Sequence, residues 1–291
     1  MDQGKNTEQW YSKLFRMLNS AICFSVAYIL FTYAFWFATG FAGRLFKFDA
    51  FVYYYGIKFL LNNHSWDSGK VTLIYMTGPV FCLVLGLVCL FFYKKMESNK
   101  TMLNVFLVWA FVIGTGIFVG QGVVAVLGTY NYQSDYYQGL SVVYSWWKLP
   151  VFMIYVLNIP LLLLFLYFAI NYARPFLLFA YSYAKVNKLS RRRKYFFETA
   201  IVPFVLGAVF TGMVTVTMDL PVHVNIPMHI IYMCVMGAAL VLAWFSISYV
   251  EVLKKDITRF KSFQTPNLAF AVLLGIVLVL VYISFRGVYI A

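Results

Sequence analysis

The sequence predicts an all-α fold: a polytopic transmembrane bundle of about seven spans, with one further interfacial or re-entrant helix over 45–61. Three observations carry this. Apolar residues make up 63% of the 291 residues and charged residues only 11%, against about 45–50% and about 25% in ordinary globular chains. Mean hydropathy is +0.78. The apolar residues are also gathered into stretches of roughly twenty, the length a helix needs to cross about 30 Å of hydrocarbon. Water could not surround that much apolar surface, and a disordered chain would not carry it.

Taken in order, the spans fall at about 18–41, 71–93, 102–128, 149–171, 196–218, 227–250 and 267–285, in a single integral membrane domain covering 1–291. Each is expected as a helix because hydrocarbon offers no partner to an open backbone group. Trp146, Trp147, Tyr144, Tyr172, Tyr93 and Tyr249 fall where an aromatic belt belongs. Pro150, Pro203 and Pro227 sit within the first turns of their helices, where a missing N–H costs least. Residues 1–17 are polar and unlike a cleavable signal, so the first span is expected to remain as an anchor. The stretch 45–61 is apolar and aromatic but is broken by Lys47, Asp49 and Lys58. If it crossed, every later loop would change sides, so it is expected to lie at the outer face.

Charge orients the bundle. Seventeen of the 23 basic residues fall on one set of connections, which puts the N-terminus in the cytoplasm and the C-terminus outside, in the cell's inner (plasma) membrane. The formal charge of +13 then needs no nucleic acid, and no aromatic-interleaved basic groove accompanies it. Arg191, Arg192, Arg193 and Lys194 are the densest basic run, placed to contact anionic phospholipid headgroups. Cys23, Cys82, Cys89 and Cys234 all lie in apolar runs without a C-x-x-C pair and read as small hydrophobes.

Catalytic motifs are missing from the sequence. With only His64, His223 and His229 there is no H-E-x-x-H, and there is no G-x-S-x-G, Gly-rich phosphate loop or D-D-x-x-D. Two groups of residues remain as candidates for substrate binding. Gln121 and Asn158 lie well inside spans, where a buried amide must find a partner or line a cavity; Asn158, two residues before Pro160, is placed to cap a helix break. Asp219, His223 and His229 surround the fifth connection on the expected outer face. With His229 and Met233 four apart on one helical face, His223, His229 and Met233 also form a candidate copper or zinc set. No cofactor is otherwise expected. Gly116 and Gly120 give span 102–128 a small-xxx-small face suited to tight internal packing or to a homodimer or hetero-complex. The expected function is a non-enzymatic one, a small permease or a transmembrane subunit of a larger assembly. The alternative is a membrane-embedded enzyme or metal-handling protein centred on Asp219, His223 and His229. A permease predicts a cavity touching Gln121 or Asn158; a scaffold predicts both amides bonded between helices.

Overall fold

In the computed structural model the described residues are 2–54, 56–60, 66–96, 101–129, 139–180, 183–216, 226–252, 268–284 and 287–290. Among the described residues, six helices are long and apolar enough to cross a membrane. α1 (Asp2–Leu45) is unbroken through its apolar stretch and is followed by β1 (Ala50–Tyr53) and β2 (Gly56–Phe59). α2 (Ser68–Lys95) and α3 (Thr101–Thr129) come next, and then a short α4 (Leu140–Trp146) that leads into α5 (Val151–Leu178). The fifth crossing is composite: α6 (Leu189–Phe196), a π-helical turn (Phe197–Ile201) and α7 (Val202–Val216). α8 (Ile226–Ser246) is the sixth; a shorter apolar helix, α9 (Leu268–Ser284), leads to β3 (Val288–Ile290).

The fold is a helical bundle, as the composition requires, but the segment 45–61 is not a helix. It is a β-hairpin, joined by β3 into an antiparallel sheet of order β2-β1-β3, with Ala50 opposite both Phe59 and Ile290. The physical reason is visible in the burial. Ala50 and Val52 point inward and are fully covered, while Phe51 and Tyr53 alternate outward, the period of a strand. A lone hairpin is marginal. The third strand, from the far end of the chain, pairs the open edge of β1, and Phe51 packs on Tyr289 with ring centroids 5.2 Å apart. Because α1 and α9 both run into this sheet, they point the same way. The expectation that 45–61 does not cross the bilayer is met by a sheet that caps one end of the bundle.

α3 occupies the centre. Trp109, fully buried, donates its indole N–H to Ser20 Oγ at 2.9 Å and meets Phe24 and Phe176 edge-on, with centroids 5.0 and 4.8 Å away. Thr115 and Tyr172 share a hydroxyl hydrogen bond of 2.6 Å between α3 and α5. Gly116 lies under Met236 and Gly120 under the Tyr232 ring, so this small-residue face is used inside the chain to bring α8 close. α5 is the opposite case, with Phe152, Leu163 and Tyr167 more than 60% exposed on its outer surface. In hydrocarbon that surface is solvated by lipid.

The π-turn has a local cause. Pro203 has no N–H to offer the carbonyl four residues back, that of Thr199. Ser20 Oγ donates to that carbonyl instead, at 2.9 Å. A side chain of α1 thus repairs the backbone of the fifth crossing.

Candidate functional site

Two features lie in the half of the bundle nearest the sheet. The first is a polar chain linking α4, α3, α8 and α1. The backbone N–H of Leu140, at the start of α4, donates to Gln121 Oε1 at 2.9 Å. The Gln121 amide nitrogen donates to the Tyr232 hydroxyl on α8. One turn earlier on α8, His229 Nδ1 lies 2.7 Å from the Tyr28 hydroxyl of α1. Tyr54, just beyond β1, stacks on the imidazole with centroids 6.1 Å apart and planes 17° from parallel, and Tyr28 meets it edge-on at 5.9 Å. His229 Nε2 is buried without a hydrogen-bond partner among the described residues. Thr32, Trp36, His229 and Tyr232 border a small pocket of about 10 Å³.

The second feature is a cleft of about 530 Å³ between α3, α5 and α8. Val123, Leu127, Ile159 and Leu162 form its exposed lip, and Asn158 lies on its wall. Among the described residues, no charged one lines it. Asn158 Nδ2 donates to the Ile154 carbonyl at 2.7 Å, while Oδ1 has no partner among the described residues. Oδ1 rests against Gly122, where an added Cβ would come within 2.7 Å of it. The helix is not broken here as the sequence suggests: α5 continues through Pro160.

The two intramembrane amides therefore have different roles. Gln121 is 2% exposed and bonded across three helices, the arrangement of helical glue. Asn158 borders space. Cys234, expected as a buried hydrophobe, lies exposed at the cleft. Met233 packs on the main apolar core. Asp219 and His223 lie outside the described residues, and among the described residues no three His, Cys, Asp or Glu side chains come together.

At the other end, the arginine run is tied largely to its own chain. Arg191 donates to the Ala184 carbonyl at 2.8 Å. Arg192 donates to Val186 and Val250 carbonyls at 2.6 and 2.7 Å. Arg193 lies 5.1 Å over the Trp244 ring, a cation–π contact. Lys194 is exposed. Nearby, Glu198 on the π-turn takes Lys13 and Arg16 of α1, each at 2.9 Å.

Sequence reasoning singled out Gln121, Asn158 and His229 but missed Tyr28, Thr32 and Tyr232. The spacing of Tyr28 and Thr32, four apart on one helical face, was available. Among 23 tyrosines it carried no distinguishing signal.

Comparison with protein-family models, with curated proteins and with solved structures returns no match. The class of the protein therefore rests on the chain itself, where six long apolar helices among the described residues mark a multi-pass α-helical membrane protein.

Proposed function

We propose that this chain is a small, non-enzymatic permease that takes an uncharged, lipid-like solute sideways from the surrounding hydrocarbon. The observation that carries the reading is the α3–α5–α8 cleft, whose volume of about 530 Å³ falls within the roughly 300–1,000 Å³ of small-molecule sites. Its lip is open to lipid, and among the described residues its wall offers one side-chain amide and no charge. On α5 it runs from Tyr155 to Phe165, about 15 Å of helix and so about half of the bilayer's hydrocarbon. A single chain from one leaflet fits that height. A charged headgroup would find no counter-ion among the described lining residues.

The same reading places the protein in the plasma membrane with its N-terminus in the cytoplasm. Support comes from the gathering of basic residues at the end away from the sheet. Lys13 and Arg16 meet Glu198 there, next to the arginine run, and Tyr93, beside Lys94 and Lys95, packs on Phe179. Basic residues collect on the cytoplasmic side.

The test is transfer of a fluorescent long-chain alcohol between the leaflets of vesicles reconstituted with the protein. Faster transfer than in protein-free vesicles, abolished by Ala238→Trp in the cleft wall, is the expected result. Equal rates in all three would end the permease reading. A transmembrane-subunit role draws on the bare outer surface of α5; a partner helix copurifying in gentle detergent and shielding Phe152 and Leu163 from photolabelling would favour it.

A further inference from the structure

α3 and α5 each turn one continuous face toward the other, and the seam between them is open in one half of the membrane and shut in the other. We propose that the cleft is a one-leaflet site, filled by a hydrocarbon chain from the leaflet on the sheet side, and that Phe111, Thr115, Phe168 and Tyr172 form a breakable seal between it and the opposite leaflet. The inference rests on the permease reading for what crosses, and it adds the side of entry and the closed point on the route.

Helical phase puts the open and the shut halves on the same faces. On α3 the cleft is lined by Val126, Gly122 and Val119; one turn further along that face lies Thr115, and after another turn Phe111. On α5 it is lined by Tyr155, Leu162 and Phe165; three and seven residues on come Phe168 and Tyr172. α5 begins at the sheet end. Trp147, just before it, donates to Thr72 Oγ1 at the start of α2 at 3.0 Å, and Tyr75 there packs on Phe59 of β2 with centroids 6.0 Å apart. The cleft residues of α5 therefore occupy its sheet-side half, and those of α3, which ends at Thr129, lie at the same depth.

Residue type decides which half is open. Gly122 and the valines of α3 are too short to bridge to α5, whereas Phe111 meets Phe168 and Tyr172 edge-on, with centroids 5.9 and 5.6 Å away. The Thr115 and Tyr172 hydroxyls lie 2.6 Å apart. Thr115 has one proton, and the Phe111 carbonyl accepts it at 2.7 Å, so the tyrosine donates across the seam. All four side chains of the seal are buried, while Leu162, in the cleft, is exposed. A chain anchored at the sheet-side surface reaches lengthwise into this apolar space, but a chain from the opposite leaflet would have to pass the seal. Onward passage needs the Tyr172–Thr115 bond to break and the rings to part. A hydrogen bond of ordinary strength between membrane helices biases such an opening by about three- to fifteen-fold.

The test uses phosphatidylcholine carrying a diazirine along one chain, loaded into a single leaflet of vesicles that hold the protein in one orientation; the headgroup keeps the probe in its leaflet. After illumination, labelled residues are read by mass spectrometry. Sheet-side loading should label Val123 and Leu162 in the cleft, together with the exposed Phe152. Loading of the opposite leaflet should label the exposed Phe91 near the far end of α2 and neither cleft residue. Ala238→Trp should remove the cleft labelling and spare Phe152. Tyr172→Phe and Thr115→Val, which delete the cross-seam bond from either side, should extend sheet-side labelling to Phe168 and raise the leaflet-to-leaflet rate of the fluorescent alcohol by about three- to fifteen-fold. Cleft labelling that is equal from both leaflets, or a Phe168 that stays unlabelled in both seal variants, would overturn the proposal; alcohol transfer alongside either result would leave the permease reading standing. The expected labelling without alcohol transfer in any protein would keep the one-leaflet site and its seal and end the permease reading.

Discussion

Arg16 on α1 donates to the carboxylate of Glu198 on the π-turn at 2.9 Å, across 182 residues of chain. Both side chains are at least 90% covered, and Lys13 takes the other carboxylate oxygen. The guanidinium also lies 5.1 Å over the Tyr195 ring. The contact ties the first helix to the one irregular turn of the fifth crossing.

Removing one partner of such a pair strands the other. Glu198→Gln leaves Arg16 charged and buried, and is expected to cost about 3–5 kcal/mol. Replacing both, as Arg16→Met with Glu198→Met, should recover most of that loss, because the desolvation penalty disappears along with the attraction. Thermal unfolding in detergent, followed by circular dichroism, gives both values; a double variant as unstable as the single one would refute the account.

Ser20 bonds twice, giving its proton to the Thr199 carbonyl and accepting from Trp109. Ser20→Ala strands both partners and should destabilise the protein by about 1–3 kcal/mol. Pro203→Ala restores an N–H that can reach the Thr199 carbonyl, so the two substitutions together should cost less than their sum. Additive costs in a double-mutant cycle would break the link between Ser20 and the π-turn.

Asp67 caps α2, accepting from the Lys70 backbone N–H at 2.8 Å. That bond, with the Lys70 side chain, holds its carboxyl below the usual 3.8. A depressed folded value means the cap contributes fully above the usual value and is lost as pH falls through the lower one. The protection of amides 69–72, taken as the ratio of intrinsic to observed exchange rate at each pH, should fall on acidification from about pH 6 to about pH 2. Asp67→Asn, which caps without a charge, should abolish that dependence; equal acid sensitivity in the variant would assign it elsewhere.

Arg192 spans Val186 and Val250, fastening the connection after α5 to the end of the sixth crossing. Arg192→Ala should release both carbonyls, at about 1.5–3 kcal/mol for hydrogen bonds to a charged donor. Lysine, lacking the planar fork, should rescue little. Hydrogen exchange at 184–190 and 247–252 should rise together in the alanine variant; protection unchanged at either end would mean that the clamp carries no strain.

The membrane character and the spans were legible from residue order because transfer into hydrocarbon is a local property, summed over some twenty neighbours at a time. The boundaries follow for the same reason: α2, α3, α5 and α8 all contain most or all of the spans read from composition. Even the non-crossing nature of 45–61 was accessible, through charge alone. What the chain order did not contain was partnership. Strand 50–53 is a strand because 288–290 comes back to it, and His229 is sheltered because Tyr28 and Tyr54 fold over it. Glu198 can be buried because Arg16 meets it, and Asn158 borders a cleft because α8 stands off from α5 just there. Each of those outcomes depends on distances between residues far apart in the chain, and only the packed helices set those distances.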